Sequence, residues 1–458
     1  MNNKISILLL LVICSCSVSW AQPDVTLPSL RRVYQSSYFN PAFVPKYKVS
    51  VGIPVLSNLY INNSRTGFTL QDVFDSKDPD GLIDLNVLHD KIDKNGIAIN
   101  TLIQTDLFHV SFPIKKFQIG INSSIKTQTT QAFSKEFIGF LVNGNSYFKG
   151  QTAEFKGLDI YNISYLENGL SIARQFRKFS IGARAKYLQG IAITETNDLR
   201  FAVTTPVNSF DPLVVKTGGQ VNTSNLPLQA DSVTGKAPDK KDKEIQEIDF
   251  TQFQNTGYAF DFGFTYNILP RLLIHGSVMD LGSITWNSKP YNYTLSNADV
   301  QLNGINYDQL NNADQRTNYT DSIVGLLKGA SVTENGFNRK LRTRYFAGAD
   351  WDFSFRDRIG FLFQAQQNLD NLYKVYTFSY THRFGVNWDL TANYTMLDGK
   401  GTNVGIGTAV KMGAFQFYII QDDILLYFKP ATSQSFYFRM GLNLVWSEYT
   451  GAKISGKE

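Results

Sequence analysis

Runs of about ten or more residues in which apolar and polar side chains alternate strictly recur from residue 47 to residue 446. A period of two sends successive side chains to opposite faces of a strand, so this chain is committed to sheet whose two faces meet different surroundings. Phe179, Ile181, Ala183, Ala185 and Tyr187 share one face, with Ser180, Gly182, Arg184 and Lys186 on the other. Tyr258, Phe260, Phe262, Phe264 and Tyr266 oppose Asp261, Gly263 and Thr265. Val386, Trp388, Leu390, Ala392 and Tyr394 face away from Asn387, Asp389 and Asn393, and the run from Phe436 to Trp446 faces away from Arg439 and Asn443. Fourteen such runs are predicted as strands: 47–56, 105–114, 117–126, 160–177, 179–190, 256–267, 271–286, 340–353, 357–368, 372–383, 385–396, 402–412, 414–424 and 433–446. Ten extended residues cover roughly 33 Å, which at a tilt near 40° spans roughly the 25 Å apolar band of an outer membrane.

The connections separate a membrane barrel from a soluble sandwich of the same periodicity. Brief turns follow every second run, at Lys115-Lys116, Arg177-Lys178, Ile268 to Arg271, Ser354 to Arg356, Phe384-Gly385 and Met412-Gly413. The alternate connections include 57–104, 127–159, 191–255 and 287–339. Single-chain barrels place short turns at one end and long loops at the other, with an even strand count, whereas a sandwich has no reason to collect its long loops. The expected fold is therefore all-β, a 14-stranded antiparallel transmembrane β-barrel with an N-terminal hatch-like segment and long extracellular loops. Within those loops, Leu82 to Ile92 and Asp321 to Leu327 are candidate short helices, and Lys236 to Glu247 is a charged stretch that reads as a solvated loop tip or a docking site.

The 34 Phe, 23 Tyr and 5 Trp supply what a lipid-facing barrel wall needs, while no segment past residue 21 approaches 18 uninterrupted apolar residues, which excludes a helical membrane protein. Lys4, the apolar stretch Ile5 to Ile13 and Ser19-Trp20-Ala21 form a signal-peptide pattern with cleavage before Gln22. An uncleaved anchor and a lipoprotein signal using Cys16 after Ser15 are the alternatives; the apolar stretch is about half of a spanning helix. Both cysteines, Cys14 and Cys16, lie in this leader, so the remainder has no disulfide, cysteine nucleophile or Cys-ligated zinc. The net charge of +5 is scattered among both signs and gives nucleic-acid binding no footing.

No catalytic, cofactor or metal site is expected. His89, His109, His275 and His382 have no histidine three or four residues away, and neither HExxH, a phosphate-binding glycine loop nor GxSxG occurs. A histidine beside a strand serine, at His109 or His275, is the residual enzymatic alternative. With the aromatic face toward lipid, the polar face must line a lumen. Arg184, Lys186, Asp261, His275, Arg342, Arg344, Asp350, Gln364, Gln366, Asn387, Asp389, Asn393 and Arg439 are predicted to project inward, either cross-bracing a plugged interior or lining a solute path. Tyr187, Tyr258, Trp286, Trp388, Tyr394 and Trp446 are candidates for interfacial girdles. The division expected is 1–21 signal peptide, 22–46 hatch or plug, 47–446 barrel and 447–458 a polar periplasmic tail; a loose tail is the alternative for 22–46.

The Asn40-Pro41-Ala42 motif ahead of fourteen strands resembles the FadL-like superfamily of outer-membrane proteins, including the PorV-type barrels of Bacteroidota. The run Tyr165 to Arg174, the run Phe179 to Gly190, Asp261-Phe262-Gly263 and Val278-Met279-Asp280-Leu281-Gly282 with Trp286 after it are similar to that group's paired strands, and the likeness is closest to an uncharacterised Bacteroidota outer-membrane family. The resemblance implies Asn40, Pro41 and Ala42 as hatch residues, outer-membrane lipid as surroundings, and passive uptake of a hydrophobic or amphipathic solute. The alternative it implies is a scaffold of type IX-like protein secretion that binds a partner through its long loops. One departure stands out: Trp446 is followed by twelve mostly polar residues, where the common barrel pattern ends on an aromatic.

Overall fold

The computed structural model describes residues 24–77, 84–94, 96–143, 148–155, 158–205, 207, 213–225, 254–295, 299–302, 331–368, 371–397 and 400–448. Its strands are β1 (Tyr47–Gly52), β2 (Leu59–Thr66), β3 (Ile97–Ile114), β4 (Phe117–Phe133), β5 (Thr152–Phe155), β6 (Asp159–Gln175) and β7 (Phe179–Thr204). There follow β8 (Leu213–Ser224), β9 (Thr256–Leu269), β10 (Leu272–Trp286), β11 (Pro290–Leu295), β12 (Asp299–Leu302), β13 (Ser331–Thr333) and β14 (Phe337–Lys340). The last are β15 (Arg344–Asp352), β16 (Asp357–Asn368), β17 (Asn371–Phe384), β18 (Trp388–Leu397), β19 (Lys400–Met412), β20 (Phe415–Gln421) and β21 (Ser435–Glu448). Among the described residues no helix is long and apolar enough to cross a membrane.

The wall closes on itself. β3, β4, β6, β7, β9, β10, β15, β16, β17, β18, β19, β20 and β21 pair antiparallel in that order, and β21 returns to β3 through β1 and β2, which share one position. That makes a fourteen-stranded barrel. Closure satisfies the edge hydrogen bonds that lipid cannot, and the exterior carries the matching chemistry. On β9, Tyr258, Phe260, Phe262, Phe264 and Tyr266 are exposed while Ala259, Asp261 and Thr265 are buried. Ile181, Leu170, Phe378, Trp351 and Trp446 are exposed on the same outer surface.

All fourteen predicted strands are present, several with different limits. The loop expected over 57–104 is shorter, because β2 and the first half of β3 pair within it. β7 runs on to Thr204, so much of the connection expected from residue 191 is strand. β18 begins at Trp388, which leaves Asn387 exposed in the turn and not in the lumen. A bulge between Val278 and Leu281, with Asp280 at φ 62°, inserts an extra residue into β10 and reverses its facing. His275, Ser277 and Met279 are buried before it, Ile284 and Trp286 after it, so Trp286 is wholly buried and is no girdle residue. The helix expected at Leu82 to Ile92 is Leu85–Lys91, with Asp84 accepting from the Asn86 and Val87 amides. Asp321 to Leu327 and Lys236 to Glu247 lie outside the described residues.

At the long-loop end, β7 and β8 extend past the barrel and pair with β5, β11 and β12, and β11 with β13. Leu199, Val221, Tyr293 and Leu295 pack beneath this sheet extension. The short-turn half of the lumen is filled differently, by residues 24–43 of the chain itself. Leu27, Leu30, Val33, Tyr34, Tyr38 and Phe39 form one buried cluster with Met279, Phe346, Leu362, Ala409, Tyr418 and Ile420 of the wall.

Candidate functional site

The N-terminal segment folds as two short 3-10 turns, Leu27–Ser29 and Tyr34–Tyr38, a compact backbone that lets alternate sides of a narrow segment reach opposite walls. Its apolar side chains make the core above, and its charged ones pair with the wall. Arg31 pairs with Asp350 of β15, Arg32 with Asp389 of β18 at 3.3 Å, and Asp24 with Arg439 of β21. Gln35 exchanges amide hydrogen bonds with Asn443 at 3.0 and 3.1 Å, and the Tyr38 hydroxyl donates to Asp106 at 2.6 Å. Each partner is buried, where an unpaired charge or amide carries its full desolvation cost, so these contacts fix the segment in one pose.

Asn40, Pro41 and Ala42 are seated against β7, β9 and β10. The Asn40 amide donates to the Phe264 and Gly276 carbonyls at 3.1 Å each, and its carboxamide oxygen accepts from the Ala42 amide at 2.9 Å. Ser180 donates to the Ala42 carbonyl at 3.0 Å. Gly182 and Gly263 leave the space: a Cβ on Gly182 would lie 2.2 Å from the Pro41 carbonyl oxygen, and one on Gly263 2.0 Å from the Asn40 side-chain oxygen.

Above the segment, one wall carries a continuous ionic network. Lys186 of β7 sits 2.6 Å from Asp280, 2.8 Å from Asp261 and 3.6 Å from Glu167. Lys126 meets Glu167 at 2.7 Å and Arg344 meets Asp280 at 2.8 Å. Arg184 lies 3.6 Å from Asp261 and donates to the Ser37 carbonyl and hydroxyl of the N-terminal segment at 3.1 Å, tying network to plug. The Asp280 amide donates to Asp261 at 2.7 Å, so the bulge that turns Asp280 inward is held by the network it completes.

Most of the inward residues named from the sequence thus fall into two groups. Asp350, Asp389 and Arg439 hold the N-terminal segment, with His275 3.6 Å from Asp350 and edge-on to Phe43 at 5.2 Å. Arg184, Lys186, Asp261 and Arg344 belong to the network. Arg342 stands apart, donating to Thr130 at 3.1 Å with its guanidinium 4.5 Å from the Tyr161 ring centroid. Sequence reasoning missed Glu167, Lys126 and Asp280. Lys126 was legible from the parity of Ile119, Ile121 and Ile125, whereas Glu167 shares its inward face with Tyr161, Ile163 and Tyr165, where hydrophobicity does not mark the outside.

A cavity of about 180 Å³ lies between the segment and the long-loop end, bounded below by Asp24, Tyr38 and Phe39 and reaching Thr66 and Ala98 at the strand tops. Elsewhere, His109 is stacked on Tyr34 at 4.3 Å with Ser50 3.1 Å from its Nε2, but the group beside Nδ1, at 3.4 Å, is the Gln35 amide where a catalytic triad has a carboxylate. Among the described residues, no group of three or more His, Cys, Asp or Glu is placed to hold a metal.

A closed fourteen-stranded barrel, aromatic outside, charged within and filled at its short-turn end by its own N-terminal segment, is a plugged transmembrane β-barrel. The chain belongs to a family of unknown function, DUF5723, whose model matches residues 41–422. No curated protein matches it. Similar solved structures include the toluene transporter TbuX of Ralstonia pickettii, with 9% identity, a TM-score of 0.41 and coverage of 89% of this chain and 92% of that one. The toluene transporter TodX of Pseudomonas putida has 9% identity, a TM-score of 0.39 and 94% coverage of each chain. A Pseudomonas aeruginosa FadL homologue has 10% identity, a TM-score of 0.40 and coverage of 91% and 96%.

Proposed function

We propose that the protein is an outer-membrane passage for a small amphipathic solute, closed at rest by residues 24–43. In this arrangement the long loops face outward and both termini the periplasm. The carrying observation is that the plug is held by separable ion pairs at Arg31, Arg32 and Asp24, below a cavity that reaches the loop end of the strands. A purely structural filler has no need of charges, since a buried ion pair is often no more stabilising than well-packed apolar side chains. Breaking the pairs by Arg31→Ala with Arg32→Ala should free the segment and raise conductance of the purified protein in a planar bilayer well above the wild-type level. A folded double variant as silent as the wild type would overturn the proposal, and is the outcome expected of a secretion scaffold.

One observation favours a sideways exit. Between β1 and β2, residues 53–58 form a turn set in the wall, with Val55 at φ 65° and both Val55 and Leu56 exposed, and with the Ile53 and Val55 amides still donating to the Leu442 and Asp106 carbonyls at 3.3 and 2.9 Å. A β-branched residue in that conformation is strained. The plug touches this turn directly, through Gln35 donating to the Ser57 carbonyl at 2.8 Å. Crosslinking Val55→Cys to Thr105→Cys should block passage if solute leaves there and leave it unchanged if it continues to the periplasm.

A further inference from the structure

The cavity above the plug has a chemistry of its own. Six cationic and three acidic side chains line it, so it is net positive. Most of those cations are committed: Lys126, Lys186 and Arg344 each meet a carboxylate within 2.8 Å. Arg342 is not. Its contacts are one hydroxyl, Thr130 at 3.1 Å, and the face of Tyr161 at 4.5 Å, and among the described residues no carboxylate pairs with it. A guanidinium has five donors and normally meets an acceptor-only anion in a partly buried place.

Deeper in the same cavity, Gln364 is 1% exposed, yet neither its amide nitrogen nor its carbonyl oxygen has a hydrogen-bond partner. Such a pair of orphaned groups is costly unless something arrives to satisfy it. Gln364 faces Phe346 across the β15–β16 ladder, and Arg342 lies two residues ahead of the start of β15 at Arg344, on the lining of the same cavity. Asn100, Gln128 and Gln366 also line the cavity. Amides that both donate and accept match hydroxyl groups and do not suit a hydrocarbon chain.

We infer that this cavity binds a small hydroxylated organic anion, its carboxylate or phosphate on Arg342 and its hydroxyl groups on Gln364 and the neighbouring amides. The inference rests on the proposed passage for its biological sense and departs from its amphipathic solute in one respect, specifying a polar anion without a hydrocarbon tail. Carboxylate and phosphate share the Arg342 contact, so both are offered as probes.

The test is calorimetric titration of the full-length protein in detergent with gluconate, glucose 6-phosphate, neutral glucose and octanoate. Gluconate, glucose 6-phosphate or both should bind at least tenfold more tightly than glucose and octanoate. Arg342→Gln should weaken that binding at least tenfold, and Gln364→Leu should weaken it while leaving octanoate unaffected. Both variants are to be checked for the heat-modifiable mobility of a folded barrel; if Arg342→Gln fails to fold, Arg342→Lys, which keeps charge but loses the fork, should weaken binding severalfold. Equal binding of glucose and gluconate, preference for octanoate, or undiminished binding by the folded Arg342 variants would overturn the inference. The outcomes separate from those of gating: Arg342-dependent gluconate binding with a silent Arg31/Arg32 variant defeats the passage alone, whereas a conducting variant without anion binding defeats the site alone.

Discussion

Gly182 and Gly263 face each other directly across the β7–β9 ladder, and together they form the notch that receives Asn40-Pro41-Ala42. Absence of a side chain at two paired positions lets the plug backbone lie against the wall itself. Gly182→Ala should therefore displace the plug, since its Cβ would meet the Pro41 carbonyl at 2.2 Å, and backbone cannot swing aside. Gly263→Ala should do so less, because the atom it meets is the Asn40 side-chain oxygen. Limited trypsin digestion at Arg31 and Arg32 measures this, with faster cleavage expected for Gly182→Ala, then Gly263→Ala, then wild type; equal rates would show that the notch does not seat the plug.

Asn40 links the plug to two strands and closes its own turn. Asn40→Ala removes hydrogen bonds to the Phe264 and Gly276 carbonyls and from the Ala42 amide. Stranding buried backbone groups typically costs about 1–3 kcal/mol, so the plug should detach at lower urea than in the wild type, before the barrel unfolds. Urea titration with tryptic cleavage as readout distinguishes the two events.

Asp280 carries positive φ at the bulge, a conformation asparagine also tolerates, so Asp280→Asn tests its charge with little change in backbone. Removing the carboxylate between Lys186 and Arg344 should cost about 3–5 kcal/mol, the usual penalty for stranding a buried partner. Adding Arg344→Met should recover part of that loss, because Lys186 retains Glu167 and Asp261. Thermal conversion of the folded to the unfolded band on gels reads both; a double variant less stable than the single would contradict the network.

Phe262 is 52% exposed in the outward aromatic row of β9. Phe262→Arg should destabilise membrane insertion by about 2–4 kcal/mol if it lies near the bilayer midplane, whereas Asn63→Arg, on the outer face near the top of β2, should cost at most about 1 kcal/mol. Folding yields into lipid vesicles across a urea series supply the comparison, and equal yields would contradict the assigned lipid face.

How much was legible in the sequence follows from what each feature depends on. Strand parity is local, so Phe262 outside and Asp261 inside could be read from a few residues, and six short turns fixed which end collects the loops. Asn387 and Trp286 escaped that logic. Asn387 falls into a turn because the strand starts at Trp388, three residues later than the predicted 385, and Trp286 is turned inward by a bulge that no propensity marks. The same bulge delivers Asp280 to Lys186, so the network's centre depended on pairing between strands and not on the pattern within one.

The sequence by itself determined the barrel, because alternation over fourteen membrane-length runs leaves few other ways to separate an apolar face from a polar one. Only the tertiary structure decided which inward charges meet one another, which hold the plug, and that Arg342 meets no carboxylate among the described residues. Such pairings join side chains far apart in the chain, up to Asp24 with Arg439, and are set by register, bulges and the path of residues 24–43 through the lumen.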